Sequence, residues 1–238
     1  MAFSRTIFIT GFPGFIAGRL VAALARPDVQ FFLLVQPQFV DSAARLAEQI
    51  AADAAVPAEN FALIEGDITK PDLGMSADDL EAVKNETTDV HHLAAIYDLA
   101  VEREPAFAVN VDGTRNVNEL CRSLPKLRRY NYVSTCYVSG KREGRIREDE
   151  LEHNAGFRNF YEETKYLAEM EVERLKADLP VTIFRPSVVV GDSETGETVK
   201  YDGIYYLIKY LLRAPSLLRL VNVGNNDVTL NLVPVDFV

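Results

Sequence analysis

The chain has 238 residues, 48% of them hydrophobic and 10% aromatic, enough to bury one sizeable core or one core with a small appendage. Its 35 acidic residues outnumber 25 basic ones, and the net charge of −10 argues against a general affinity for nucleic acid or anionic membrane surfaces. Only two cysteines occur, Cys121 and Cys136, without CxxC or Cys/His ligand spacing. Neither a disulfide framework nor a metal site is indicated, and a reducing, cytoplasmic setting is expected.

The first apolar run, Thr6 to Thr10, follows a single basic residue, Arg5, but glycine and proline interrupt it too soon for a signal peptide, so it reads as a strand. The spacing then predicts a helix over Phe15 to Ala25, a strand over Phe31 to Val35, a helix over Ser42 to Ala52 and a strand over Phe61 to Ile64. Further along come a helix at Asp78 to Val83, a strand at Val90 to Ala95, a helix over Pro105 to Leu124 and a strand at Tyr130 to Ser134. A long helix, Phe160 to Ala177, and a strand, Val181 to Phe184, complete the alternation. Strands apolar on both faces that alternate with helices predict an α/β fold, a doubly wound parallel sheet covered on both sides. No uncharged run approaches the length of a membrane span, so no integral span is expected and the sequon Asn85-Glu86-Thr87 carries no chemistry.

The turn after the first strand is "TGFPGFIAGRL", Thr10 to Leu20. At the carboxyl edge of a parallel sheet the free N–H groups of the next helix favour anions. Gly11 and Gly14 permit a tight turn and the close approach of a pyrophosphate, and Ala17 stands at the third small position, so a dinucleotide is expected here.

A second signal is "YEETKYLAEME". Tyr161 and Lys165 are four residues apart on a predicted helix and share a face. An ammonium near a phenol favours phenolate and makes a usable acid/base pair. Upstream, "YVSTCYVSG" ends a strand at Thr135, whose hydroxyl is placed to hold a substrate carbonyl.

With "ITGFPGFIAGRL", "GDIT", "HHLAAIYD", "NVDGT", "YVST", "YEETK" and "FRPSVVVGDSETGE" in this order, nearly the whole chain resembles the extended short-chain dehydrogenase/reductases. "HLAAIYD", "DGIYYLIKYL" and "NLVPVDFV" look most like fatty acyl-CoA and aldehyde reductases and thioester-reductase domains of the male-sterility type. The resemblance implies a Rossmann-like fold, with a dinucleotide-binding domain over 1–185 and a partial substrate-binding region over 186–238 interleaved with it. It assigns Tyr161 as proton donor, Lys165 as the group that lowers the phenol pKa and holds the nicotinamide ribose, Thr135 as carbonyl orienter, and Asn110 as support for the lysine through a water. Cofactor contacts are expected from Thr10, Gly11, Phe12, Pro13, Gly14, Phe15 and Ile16 in the turn, Asp67 and Ile68 at the adenine, Ala94 and Ala95 beside the fourth strand, and Pro186 and Val189 at the nicotinamide. Where an acidic residue would select NAD(H), the chain has Val35-Gln36-Pro37; with Arg45 in the next helix this favours NADP(H), NAD(H) staying open. The implied activity is reduction of a small-molecule carbonyl, an aliphatic aldehyde or acyl thioester. The alternatives are a nucleotide-sugar epimerase or dehydratase and a catalytically poor cofactor-binding regulatory protein, and the family admits a homodimer.

Other conspicuous residues read as structural. His91 and His92 are adjacent on a strand, point to opposite faces and make no metal pair. Cys136 reads as a small apolar filler, and Lys141 to Arg145 as a solvated loop. Tyr201 to Leu212 reads as a helix, with Ile204, Tyr205, Leu207, Ile208, Leu211 and Leu212 available to line an acyl groove.

Overall fold

A computed structural model describes residues 3–199, 201, 204–213 and 230–238, the side chain of Leu207 excepted. The chain divides into two compact units, one running to Pro186 and the other from Ser187 to Val238.

The first unit is built on six strands: β1 (Arg5–Thr10), β2 (Val29–Val35), β3 (Phe61–Glu65), β4 (Asp89–His92), β5 (Arg129–Val133) and β6 (Val181–Phe184). All pair in parallel, in the order β3-β2-β1-β4-β5-β6. The chain winds outward from β1 to β3, crosses back and continues from β4, so the carboxyl ends of β1 and β4 flank the point where the winding reverses. That is where an open sheet of this kind leaves a crevice for a ligand.

Alternate residues of the strands feed two cores. Phe8, Phe32, Val90, Tyr130 and Tyr132 face one side, while Ile7, Ile9, Phe31 and Leu33 face the other. The helices close over these faces for local reasons. In α2 (Val40–Ala54) the spacing of Ala43, Ala47, Ile50 and Ala51 puts a small apolar stripe on the sheet. In α3 (Ala77–Glu86) the Ser76 hydroxyl caps Asp79 N at 3.1 Å, with Asp78 and Asp79 in the first turn and Lys84 in the last. In α6 (Phe160–Glu173) the Asn159 side chain accepts from Glu162 N at 2.9 Å.

Two expected elements are interrupted. The predicted helix from Pro105 to Leu124 is α4 (Arg103–Ala106), a widened π turn at Phe107–Asp112, and α5 (Gly113–Arg122). The widening coincides with Asn110, whose amide bonds outside the helix. The predicted strand to Ala95 leaves the sheet after His92, where the last ladder-like bond is Leu93 N to Thr10 O at 3.2 Å.

The second unit contains a parallel pair, β7 (Val188–Val190) and β8 (Leu232–Pro234), and helix α7 (Ile204–Arg213). Within it Gly191 N donates to the Tyr205 hydroxyl at 2.6 Å and Ser193 is held by Asp236 through N and Oγ at 2.8 and 2.7 Å. Asp202 and Gly203, and the Leu207 side chain named for the acyl groove, lie outside the described residues. Among the described residues no helix is long and apolar enough to cross a membrane.

Candidate active site

The turn after β1 is shaped by space as well as by φ. Gly11 has φ +93°, and a Cβ there would lie 2.8 Å from Ala94 N and 2.9 Å from Leu93 C, both backbone atoms. A Cβ on Gly14 would stand 2.6 Å from Gly11 O, the atom to which Gly14 N donates at 2.8 Å. Ala17 is buried and lets α1 (Phe15–Leu24) settle on the sheet. The first turn of α1 carries neither a side-chain cap nor an acidic residue, so its N–H groups suit an anion from outside the helix. These features fit a dinucleotide pyrophosphate.

The remaining residues named for the cofactor divide. Phe12 is 3% exposed and packs into the core, so only its backbone is available. Thr10 is fully buried: its hydroxyl is bonded to His92 Nδ1 at 2.7 Å and accepts from Ala94 N at 3.2 Å, which turns it away from any ligand. Pro13, Phe15, Ile16, Ala94 and Ala95 are half-buried around the turn. Asp67 Oδ1 accepts from Thr69 N at 2.9 Å, and Ile68 is buried against Gly113. Gln36 is held by Gln38 at 2.9 Å beyond β2, and Arg45 is exposed on α2. Pro186 closes the first unit, its carbonyl accepting from Cys136 N at 3.0 Å, and Val189 belongs to β7 of the second unit.

Thr135 and Tyr161 come together at the carboxyl end of β5. Burial pushes the Tyr161 phenol up to about 12, the neighbouring Thr135 hydroxyl opposing. Thr135 is itself fixed as the cap of the short helical turn Cys136–Ser139, accepting from Tyr137 N at 3.3 Å. Lys165, one turn beyond Tyr161, is 3% exposed and donates to the Tyr132 hydroxyl and the Val133 carbonyl, each at 2.9 Å. Burial brings its amine down to about 7, the Glu169 carboxylate opposing. The expected lowering of the phenol by Lys165 is therefore overturned here: desolvation dominates at both groups, and the phenol stays firmly protonated.

Asn110 is committed to two neighbouring elements. Its Nδ2 donates to Ile96 O and Thr164 Oγ1, both at 3.0 Å, and Oδ1 accepts from Ile96 N at 2.8 Å. Both amide protons are thus spent on the loop after β4 and on α6, so Asn110 acts on the site by joining those elements. Cys136 is exposed, not the filler it was read as. His91 and His92 do face opposite ways: His92 is fully buried, while His91 lies beside Asn131. Among the described residues there is no cluster suited to a metal.

Sequence reading missed a buried ion pair beneath Lys165. Glu169 is fully buried, accepts a short hydrogen bond from the Ser134 hydroxyl, and pairs with Arg185, whose Nε donates to Oε1 at 2.7 Å. The available signal was the second four-residue step along the helix, Tyr161, Lys165, Glu169, with Arg185 closing the next strand.

The parallel sheet, its switch-point turn and the Thr135/Tyr161/Lys165 group define an extended short-chain dehydrogenase/reductase with a Rossmann-like nucleotide-binding sheet. More narrowly, the chain belongs to the NAD-binding family described as male sterility protein, whose model matches residues 9–238. It is 28% identical over 268 residues to fatty acyl-CoA reductase wat of Drosophila melanogaster, covering 98% of this chain and 52% of that one. It is 26% identical over 245 residues to a linear gramicidin synthase polypeptide of Brevibacillus parabrevis, covering 98% of this chain and 5% of that protein. Among solved structures, the terminal R domain from the myxalamid PKS-NRPS pathway superposes with TM-score 0.81 at 29% identity, over 98% of this chain and 59% of that one. UDP-glucuronic acid 4-epimerase of Bacillus cereus shares the fold, with TM-score 0.68 at 21% identity over 97% of this chain and 69% of that one. The chain spans about half the length of the fatty acyl-CoA reductase it matches, 52% of it.

Proposed function

We propose that this chain carries the cofactor-binding and proton-transfer part of a nicotinamide-dependent reductase acting on an acyl thioester or aliphatic aldehyde. The observation that carries this reading is the buried Tyr161 phenol beside Thr135, which burial keeps protonated. Carbonyl reduction needs a proton donor at the oxygen, and this phenol keeps its proton at neutral pH until a developing alkoxide takes it. The kinship with proteins named fatty acyl-CoA reductases and R domains supports the substrate class.

The Gly11 turn and the first turn of α1 would hold the pyrophosphate, and the bound nicotinamide would supply a hydride to the carbonyl carbon. Tyr161 gives its proton to the carbonyl oxygen, Thr135 orients that oxygen, and the Lys165 ammonium stabilises the phenolate left behind. With a thioester, loss of the protonated thiol then yields the aldehyde. Gln36, where an acidic residue would repel a 2′-phosphate, and the exposed Arg45 favour NADPH over NADH.

The test is turnover of an aliphatic aldehyde series and a nucleotide-sugar panel, followed by NADPH absorbance, with the parent and Tyr161→Phe. The variant is expected to bind NADPH normally and turn over about a hundredfold more slowly. Arg45→Ala is expected to weaken NADPH about tenfold while leaving NADH unchanged, the scale of one charge-assisted contact. Full activity in Tyr161→Phe, or faster turnover of nucleotide sugars, overturns the reading.

A further inference from the structure

The loop from Gly140 to Arg158 leaves the site just past Thr135, returns just before Tyr161, and is pinned at its root. Lys141 N donates to Gly156 O at 2.9 Å, and His153 Nε2 is bonded to Val138 O at 2.9 Å. Arg158 Nη1 donates to the Gly140 carbonyl and lies 3.7 Å from the buried Glu162 carboxylate. The loop grows out of the short turn Cys136–Ser139, which Thr135 caps and whose Tyr137 ring meets Tyr161 edge-on at 6.4 Å. A turn of this kind rises about 2 Å per residue, so its four residues carry the chain only about 8 Å from the site.

Beyond that root the loop is conspicuous for its charge. Lys141 to Arg147 holds four basic residues and one acidic one, in a chain whose net charge is −10. Arg147 is used within the loop: its Nε lies 3.6 Å from Asp149 Oδ1, and its backbone N donates to Glu150 Oε2 at 3.1 Å. Among the described residues Lys141, Arg142 and Arg145 have no ion pair. Lys141 and Arg145 are exposed. Arg142 is half-buried and donates to two neutral carbonyls, Ser139 O at 3.1 Å and Glu150 O at 2.6 Å, while its Nη2 is buried without an acceptor. A guanidinium fixed by neutral groups keeps its full charge, so the three cations sum to a local positive field. The other basic run, Lys126 to Arg129, ends in the first residue of β5, at the amino edge of the sheet, and its Arg128 is spent on Ser4 O and Asp89. Positive charge without a counter-ion therefore stands at the carboxyl edge, beside the phenol.

We propose that Lys141 and Arg145, with Arg142 behind them, bind the phosphate at the head of the pantetheine arm of a thioester substrate, whether that arm belongs to coenzyme A or is attached to a protein. The inference rests on the proposed reduction of an acyl thioester and names the groups that grip its handle. A chain of net charge −10 repels an anionic substrate at a distance, so a basic entrance beside the site serves capture as well as orientation. Because the arm is long and flexible, a phosphate held by the exposed cations leaves the thioester carbonyl able to reach Thr135 and Tyr161.

Non-reactive thioethers read this binding without turnover. S-decyl pantetheine, its 4′-phosphate and S-decyl coenzyme A are titrated calorimetrically into the full chain and into the double variant Lys141→Gln/Arg145→Gln. In the parent the 4′-phosphate should bind about tenfold tighter than the unphosphorylated thioether, the scale of one or two screened charge-assisted contacts. That ratio should shrink as salt rises from about 0.05 M to about 0.5 M. In the variant it should fall to within about twofold of unity, for the coenzyme A thioether as for the simple phosphate. Should the double variant lack a cooperative melt, Arg145→Gln alone, which removes no hydrogen bond among the described residues, carries the same comparison. An equal phosphate advantage in parent and variant, or none in the parent, overturns the proposal. A loss confined to coenzyme A also overturns it, because it assigns the loop to the nucleotide phosphates, and so does a parallel loss of NADPH affinity, which assigns the loop to the cofactor. If the parent reduces no carbonyl substrate, the proposed function fails, while the binding ratio still decides whether the loop holds phosphate.

Discussion

Replacing Glu169 by alanine should cost this chain more stability than almost any other single change in the first unit. The carboxylate is wholly buried, and the Arg185 side chain it neutralises is 14% exposed, so neither charge can turn to solvent when the other is removed. Breaking such a pair from one side typically costs about 3–5 kcal/mol, because the remaining guanidinium is left desolvated and uncompensated. The Ser134 hydroxyl loses its acceptor at the same time. For a chain of this size that loss corresponds to a fall in Tm of roughly 6–20 °C. Glu169→Gln, which keeps an oxygen towards Arg185 and the volume of the side chain, should lose only about 1–2 kcal/mol. Thermal and urea melts of the parent and both variants give the comparison. A Glu169→Ala variant within about 1 kcal/mol of the parent would refute the reasoning, since it would mean that water or a rearranged side chain already solvates Arg185.

Two further outcomes follow from the geometry of the sheet edge. Gly11→Ala must displace the backbone of Leu93 and Ala94 and occupy φ +93°, so it should lower stability by about 1–3 kcal/mol and abolish measurable dinucleotide binding; unchanged NADPH affinity by titration would count against the turn as the pyrophosphate site. Burial holds His91 down at about 4 and His92, beside the Lys165 charge, at about 3, whereas both protonate near 6.5 when unfolded. Their contribution is complete above pH 6.5 and is lost as pH falls towards those lower values, so urea melts should show about 4 kcal/mol less stability at pH 5 than at pH 7. Equal stability at the two pH values would show that both rings take up their protons in the folded protein.

The alternation of strands and helices was legible because each parallel strand is apolar on both faces and each helix carries its own stripe and cap, as at Ala43, Ala47 and Ile50 or at Ser76. The glycine turn was legible for a related reason: a position that admits no Cβ shows itself in the sequence as glycine. What the sequence hid were contacts whose partners lie far apart along it. Tyr132 and Lys165 are separated by 33 residues and Ser134 and Glu169 by 35, and nothing in either segment alone requires the other. The direct contacts of Asn110 were hidden in a different way, because its amide is captured by Ile96 and Thr164 once the helix widens into a π turn, a local geometry without a composition signal. The expected charge effect of Lys165 on Tyr161 failed because spacing reports only that two side chains share a helical face, while burial decides which protonation state each adopts.

The two halves of the site use opposite physics on one sheet edge. At the end of β1 the backbone itself is the binding group: side chains are deleted, and the N–H groups of α1 are left without a side-chain cap to meet an anion that arrives from solution. At the end of β5 the backbone is covered, and the work passes to side chains that are charged, nearly inaccessible and held by one another: Lys165 by Tyr132, Glu169 by Ser134 and Arg185. An apolar packing of the same volume would stabilise the fold at least as well as such an ion pair. Retaining these groups in the core therefore makes sense only if their positions matter more than their energy. Under the proposed function, a lysine charged against burial near a phenol that keeps its proton until a carbonyl oxygen needs it is a reason of that kind. The hydrogen bonds through His92 then join the two halves: from Thr10 they run by Thr114 to Asn110, whose amide donates to Thr164 on the helix that carries Tyr161 and Lys165.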